Sequence, residues 1–254
     1  MPKISAFFKL IRWPNLLMIM VTQSLLNYMV IGHVLNLIHV RLPLSHLDFI
    51  LLMLSTILMA AFGYAYNDVQ DEQVDRINKK DKRIIGNSIT AKKGLIISFI
   101  LLIAALIPAI YLAIKLLMVQ LIFIHLTIAA GLWYYSTHLK KSLLVGNIII
   151  SLFTALSLFI VWLYHLVVLK MDPVMMIDAR KLIPFIHQMV LFYTAFAFII
   201  SMIREMVKDI EDQKGDARFH MKTFVLKFGL SKTKNSFSFS AQASMTRCIV
   251  LMYV

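Results

Sequence analysis

An all-α protein, a polytopic bundle of membrane helices, is what this sequence predicts, and three observations predict it. Hydrophobic residues make up 60% of the 254 residues and charged residues only 15%, whereas a soluble domain is nearer half apolar and a quarter charged. The apolar excess is gathered into six stretches without Asp, Glu, Lys or Arg, each about 18 residues or longer, which crosses a hydrocarbon core of roughly 30 Å as a helix. The basic residues collect in alternate connections between these stretches, as they do in chains that cross a bilayer repeatedly. A helix pairs its own backbone amides, as an apolar solvent requires.

Residues 3–13 (KISAFFKLIRW) mix Phe7, Phe8, Leu10, Ile11 and Trp13 with three basic residues and predict an amphipathic helix on the membrane surface. The first span, Asn15–Ile38, is too long for a signal-peptide core and no small-residue cleavage site follows it, so it is expected to be retained. Phe49–Tyr66 is the second span and leads into an acidic segment, with an interior loop over 67–93. Gly94–Ile114 and Leu116–Tyr135 are the third and fourth spans, and Leu143–Leu169 is the fifth. Leu182–Ile203, the sixth, runs into a second polar segment over 204–227. Beyond Gly229, residues 231–241 (SKTKNSFSFSA) turn Ser- and Lys-rich, and residues 242–254 are too short to span. The expected organisation is a membrane domain over 1–229 and an atypical tail over 230–254.

The net charge of +13 would suggest nucleic acid as the partner of a soluble protein. Here it sets orientation. With the N-terminus inside, the inner segments hold Lys3, Lys9 and Arg12, then Arg76, Lys79, Lys80, Lys82, Arg83, Lys92 and Lys93, then Lys140 and Lys141, then the cluster from Arg204 onward. The outer segments hold only Arg41, Lys115, Lys170, Arg180 and Lys181. This satisfies the positive-inside rule and predicts a multi-pass protein of the cell membrane with a cytoplasmic N-terminus and no nucleic-acid partner.

Two acidic motifs carry the chemistry. Asp68, Asp71 and Asp75 stand at i, i+3 and i+7 in N-D-x-x-D-x-x-x-D, and Asp209, Asp212 and Asp216 repeat the spacing. On a helix each set falls within roughly 60° of arc. Four spans separate the motifs, so both emerge on the cytoplasmic face. Of 13 acidic residues, eight lie in or beside the motifs and Glu211 is a ninth. Carboxylates this close repel unless cations sit between them. A solvated acidic helix end explains either motif alone; the repeat favours hard-cation binding. Mg²⁺ fits, because it takes one or two carboxylates and completes its shell with water and substrate phosphates. Bases on the same face, including Lys79, Lys82, Arg83, Lys140, Lys141, Arg204 and Lys208, can add phosphate contacts. An apolar cavity between the helices would take a lipid tail. Head and tail together describe a prenyl diphosphate.

Other chemistries find little support. Cys248 is the only cysteine, which excludes an internal disulfide, a Cys-rich zinc site and a CxxC redox motif. The eight histidines form no i, i+3 or i, i+4 pair and read as core or interfacial residues. Trp13, Trp133 and Trp162 lie near span ends and suit interfacial anchoring. A cation channel would expect ionisable residues at mid-membrane, and the six spans have almost none.

These residues resemble the UbiA-type intramembrane prenyltransferase superfamily over about residues 9–229. Asn67, Asp68, Asp71 and Asp75 match its first Asp-rich motif; Asn78 and Arg83 follow as in the family, without the prolines common there. The second motif, Arg204-Glu205-x-x-Lys208-Asp209-Ile210-Glu211-Asp212-x-x-Gly215-Asp216, is similar to the form of the digeranylgeranylglyceryl phosphate synthase branch. Arg12-Trp13-Pro14-Asn15 resembles the start of the family's first helix, and Tyr135-Ser136, Leu139-Lys140 and Gly146-Asn147 resemble its central loop. The family usually has nine transmembrane helices against six here, which implies a C-terminally truncated domain.

The resemblance implies Mg²⁺ on Asp68, Asp71, Asp209 and Asp212, with Asp75 and Asp216 completing the metal shells or ordering water. It implies substrate contacts from Asn15, Asn67, Arg83, Tyr135, Lys140 and Lys208. The expected reaction moves a prenyl group, geranylgeranyl in the favoured case, from its diphosphate to the hydroxyl of a membrane-associated prenylglycerol phosphate. An aromatic acceptor in quinone or haem synthesis is the alternative, and an inactive fragment or membrane scaffold the non-enzymatic one.

Overall fold

The computed structural model describes residues 3–78, 83–139 and 144–211. Lys140, Asp212, Asp216 and the expected domain boundary after Gly229 lie outside the described residues. Among those described there is no strand, only an isolated bridge between Ile85 and Ile89.

Helix α1, Lys3–Leu10, is the amphipathic segment expected at the start. Ala6 and Leu10 are buried while Ile4 and Phe8 face outward. The chain turns at Arg12, and Pro14 supplies a fixed φ for the first turn of α2, Trp13–Leu25. A π-helical stretch over Leu26–Gly32 joins it to α3, His33–Asn36, so Trp13–Asn36 forms one rod. Ser45 caps α4, His46–Gln70: its hydroxyl accepts from the Asp48 amide (3.2 Å) and donates to the Asp48 carboxylate (2.7 Å). The short α5, Glu72–Asn78, follows at once. Thr90 caps α6, Ala91–Lys115. The remaining helices are α7 (Gln120–Thr137), α8 (Val145–Met171), α9 (Pro173–Ala179, capped by Asp172) and α10 (Ile183–Glu211).

Five of these are long and apolar enough to cross a membrane: Trp13–Asn36, His46–Gln70, Ala91–Lys115, Val145–Met171 and Ile183–Glu211. They correspond to the first, second, third, fifth and sixth predicted spans. The fourth predicted span is α7, an 18-residue helix. Gln120 at one end and Tyr134, Tyr135, Ser136 and Thr137 at the other are polar, and this helix is not among those five. It packs against α4, α6 and α8.

The strongest pairings are α4 on α6 and α8 on α10. Two apolar clusters fill the bundle. One joins Leu10 and Leu16 to the C-terminal half of α4 and to α6 and α7, beneath the first acidic motif. The other joins the π-helical stretch, the start of α4, the end of α6 and helices α8 to α10. Trp162 belongs to the second cluster and is fully buried. This corrects its expected interfacial position: its indole N–H donates to His187 Nδ1 at 3.1 Å, so the polar edge is satisfied inside. Several polar groups inside the spans are likewise paired across helices. Gln23 Nε2 donates to the Ser157 carbonyl (2.6 Å), and Thr56 Oγ1 donates to Gln23 Oε1 (3.0 Å). His165 bridges Asn27 Oδ1 (2.7 Å) and the Leu44 amide (3.3 Å). In hydrocarbon, where no water can substitute, such bonds fix helix positions.

Helices α7 and α8 touch at Gly131, where a Cβ would overlap the Phe153 ring. Gly131→Ala is expected to lower thermal stability in detergent by about 1–3 kcal/mol. Phe153→Leu in the same chain should restore part of that loss, and its failure to do so would place the strain elsewhere.

Candidate functional site at the carboxylate end of the bundle

The first motif sits on a helix joint. Asn67 and Asp68 occupy the last turn of α4 and Asp75 lies in α5, while Asp71 between them leaves the helical region at φ −87°, ψ 4°. The uninterrupted helix expected from the spacing is therefore broken at Asp71. The hydrogen-bond ladder nevertheless crosses the break, from the Asp71 amide to the Asn67 carbonyl (2.9 Å) and from the Asp75 amide to the Asp71 carbonyl (2.8 Å). This keeps the three carboxylates near one face. Asn67 and Asp71 are buried, and Asn67 Nδ2 donates to Asp71 Oδ2 at 2.8 Å. That bond points the Asn67 carbonyl oxygen elsewhere, and Oδ1 has no partner although it is buried.

Asp68 is held by Arg12, whose guanidinium donates to Oδ1 at 2.8 Å and lies 4.9 Å over the Tyr64 ring. Arg12 adopts a left-handed backbone (φ 51°, ψ 54°), a conformation that is uncommon for a side chain of this size. Burial alone would lower its pKa; the Asp68 carboxylate, with smaller contributions from Tyr64 and Glu205, more than offsets this and raises it. Arg12 thus reaches electrostatically from α4 to α10.

The second motif is represented by Asp209, in the last turn of α10, whose Oδ2 accepts from Asn147 Nδ2 at 2.7 Å. One turn earlier, Glu205 is buried with the Lys208 ammonium 3.8 Å away. Tyr135, in the last turn of α7, is buried and within electrostatic reach of Glu205, Asp71, Asp209 and Arg12. Gly146 makes this possible, because a Cβ there would stand 3.1 Å from Tyr135 Cε2 and 2.9 Å from the Leu139 carbonyl oxygen. Asp68, Asp71 and Asp209 thus gather at one end of the bundle.

The remaining expected residues are partly assembled. Asn15 lies in the first turn of α2, three residues beyond Arg12. Arg83 Nε donates to Asn87 Oδ1 (3.0 Å), and its buried Nη1 has no partner, a donor still able to take an anion. Glu72 pairs with Arg76 at 2.8 Å. Arg12, Tyr64, Asn147 and Glu205 were not singled out from spacing. Arg12 and Asn147 stand inside the short patterns around Pro14 and Gly146, which were the only signal for them.

Among the described residues no three Asp, Glu, His or Cys side chains form a group that could hold a metal; Asp212 and Asp216 are outside that set. The donors present nevertheless suit a hard divalent cation. They are carboxylate and amide oxygens, and Asn67 Oδ1 is a buried oxygen in want of a partner.

A family model described as "UbiA prenyltransferase family" matches residues 28–254. The digeranylgeranylglyceryl phosphate synthase of Saccharolobus solfataricus is 35% identical over 176 residues, 69% of this chain and 55% of that protein. The chain thus spans little more than half that relative's length. A solved chain described in connection with digeranylgeranylglyceryl phosphate synthase in membranes superposes with a TM-score of 0.61 at 22% identity, over 96% of this chain and 75% of that one. A UbiA homologue from Archaeoglobus fulgidus, described as bound to GPP and Mg2+, gives 0.60 at 16% identity over 94% and 75%. At these identities the superpositions show the fold.

Removing the Arg12 guanidinium leaves a largely buried carboxylate unpaired. Arg12→Gln is expected to lower thermal stability in detergent by about 1–3 kcal/mol. Asp68→Asn in the same chain should recover much of this, and additive losses would contradict the pairing.

Proposed function

The chain belongs to the UbiA prenyltransferase family, and on that premise we propose that it transfers a prenyl group from a prenyl diphosphate to the hydroxyl of a prenylglycerol phosphate. Geranylgeranyl is the favoured group, and the reaction would serve membrane ether-lipid synthesis. The observation that carries this reading is that Asp68 and Asp71 at the end of α4 and Asp209 at the end of α10 lie at one end of the bundle, with the Arg12–Asp68 and Asn147–Asp209 pairs beside them. That arrangement would let two motifs separated by most of the chain serve one diphosphate. The name carried by the Saccharolobus relative supports the acceptor, and the ligands of the Archaeoglobus homologue support the diphosphate and the metal.

Asp68, Asp71, Asp209 and Asp212 would hold Mg²⁺, with Asn67 Oδ1 beside Asp71 and Asp75 and Asp216 completing the shells. When bound, the metal would neutralise charge building on the departing diphosphate. Arg83 through its free Nη1, together with Lys140 and Lys208, would bind phosphate oxygens. The allylic C–O bond breaks with its electron pair leaving on the diphosphate. Tyr135 and the buried apolar packing beneath it would keep bulk water from the allylic cation. The acceptor oxygen then forms the new C–O bond and loses its proton to a carboxylate or phosphate oxygen at the mouth of the site. Asn15, beside Arg12 in the first turn of α2, would contact substrate. The site would face the cytoplasm from a multi-pass position in the cell membrane.

An aromatic acceptor remains the second reading, because the same diphosphate grip serves either. Membranes containing the full chain, given labelled geranylgeranyl diphosphate, Mg²⁺ and separate acceptors, distinguish them. Label is expected on geranylgeranylglycerol phosphate; label only on 4-hydroxybenzoate or dihydroxynaphthoate would overturn the acceptor. Asp71→Asn and Asp209→Asn should each reduce transfer by about 100-fold or more. Unchanged transfer in both would return the chain to the reading of a membrane scaffold.

A further inference from the structure

The end of the bundle opposite the carboxylates carries a cleft of about 370 Å³, lined by Tyr28, Met29, His33, Asn36, Arg41 and Leu42 among others. Its position follows from α4, which starts at His46 on this face and reaches the carboxylates after 25 residues, about 37 Å at a helical rise of 1.5 Å per residue. Two local features shape it. The chain is π-helical over Leu26–Gly32, which widens the helix at Tyr28 and Met29; such bulges recur at functional sites. Beyond Asn36 the chain folds back through His39 in a left-handed conformation (φ 59°), with the Val40 amide bonded to the Leu35 carbonyl at 3.1 Å. Leu42 of the returning chain packs over Gly32, 3.4 Å from where a Cβ would stand.

The lining has two chemistries. Arg41, His33 and Asn36 are exposed donors at the mouth, and Arg41 has no ion-pair partner among the described residues. The acidic residue nearest in sequence, Asp48, is already taken: Lys115 Nζ donates to both its oxygens at 2.7 and 2.8 Å, and Ser45 donates at 2.7 Å. Tyr28 is held by His46, hydroxyl to Nδ1 at 3.2 Å, and packs edge-on against Phe49. Beside these polar groups Met29, Leu37 and Ile38 are outward-facing apolar side chains. A cationic fork and neutral donors next to an apolar wall, at the level where the spans end, match an amphiphile with a phosphate head and a hydrocarbon tail.

We propose that this cleft binds the phosphate-bearing headgroup of an anionic membrane lipid in the leaflet opposite the carboxylate site, with Arg41 as the principal phosphate contact and Tyr28, His33 and Asn36 around it. This rests on the membrane-spanning architecture and is independent of the prenyl-transfer reading.

Native mass spectrometry of the full chain released from mixed vesicles of phosphatidylglycerol and phosphatidylcholine tests it. The wild type should retain phosphatidylglycerol over phosphatidylcholine by about fivefold, the share of one surface arginine. Arg41→Gln should abolish the preference with thermal stability unchanged, and excess inorganic phosphate should leave the bound lipid in place. His33→Ala with Asn36→Ala, both exposed positions, should reduce retention if Arg41→Gln folds poorly. A preference that survives these substitutions overturns the proposal, and so does displacement of the lipid by inorganic phosphate, which would mark a site for free anions.

Discussion

Carboxylates buried at the end of an apolar bundle must be paired, and the arrangement at this end of the molecule depends on how each is paired. An unpaired buried charge costs several kcal/mol. Asp68 is met by Arg12, Asp71 by the Asn67 amide and Asp209 by the Asn147 amide. Each partner comes from a different place: the turn before α2, the same turn of α4, and the first turn of α8. The acidic site therefore acts as a fastening. It ties the start of α2 to the end of α4 and the start of α8 to the end of α10. The pairs are also the kind a cation and a diphosphate can replace, because arginine and amide groups bind phosphate as readily as they bind carboxylate.

The break at Asp71 serves the same end. A straight helix would carry Asp68, Asp71 and Asp75 outward along one stripe. The joint keeps the hydrogen-bond ladder across the break between α4 and α5, and Asp71 stays buried beside Asn67. The left-handed Arg12 acts in a comparable way on the other side, turning the chain so that its guanidinium reaches Asp68. Backbone departures of this kind gather at functional sites because surrounding contacts hold them there.

Much of this was legible in the sequence. Six uncharged stretches announced the helices, and the repeated i, i+3, i+7 spacing singled out the candidate site; the membrane imposes both patterns, since charge is excluded from the spans and so concentrates at their ends. What spacing could not reveal was pairing between distant elements. Arg12 and Asp68 are 56 residues apart, and Asn147 and Asp209 are 62; no local periodicity encodes such contacts. Trp162 was misplaced for a related reason. Its position near a span end suggested the interface, but its hydrogen-bond partner, His187, lies on another helix. The polar end of α7 likewise makes sense only in the folded bundle, where Tyr135 and Ser136 are buried at the carboxylate end.

The central claim is that carboxylates from α4 and α10 form one site for a metal and a diphosphate. Mg²⁺-dependent binding of a non-hydrolysable geranylgeranyl thiodiphosphate to the purified full chain tests it most directly. If one site is shared, Asp71→Asn and Asp209→Asn each abolish the Mg²⁺-dependent part of the binding, and the double variant loses no more. Binding that survives either single substitution, or that falls in two independent steps, would contradict a shared site.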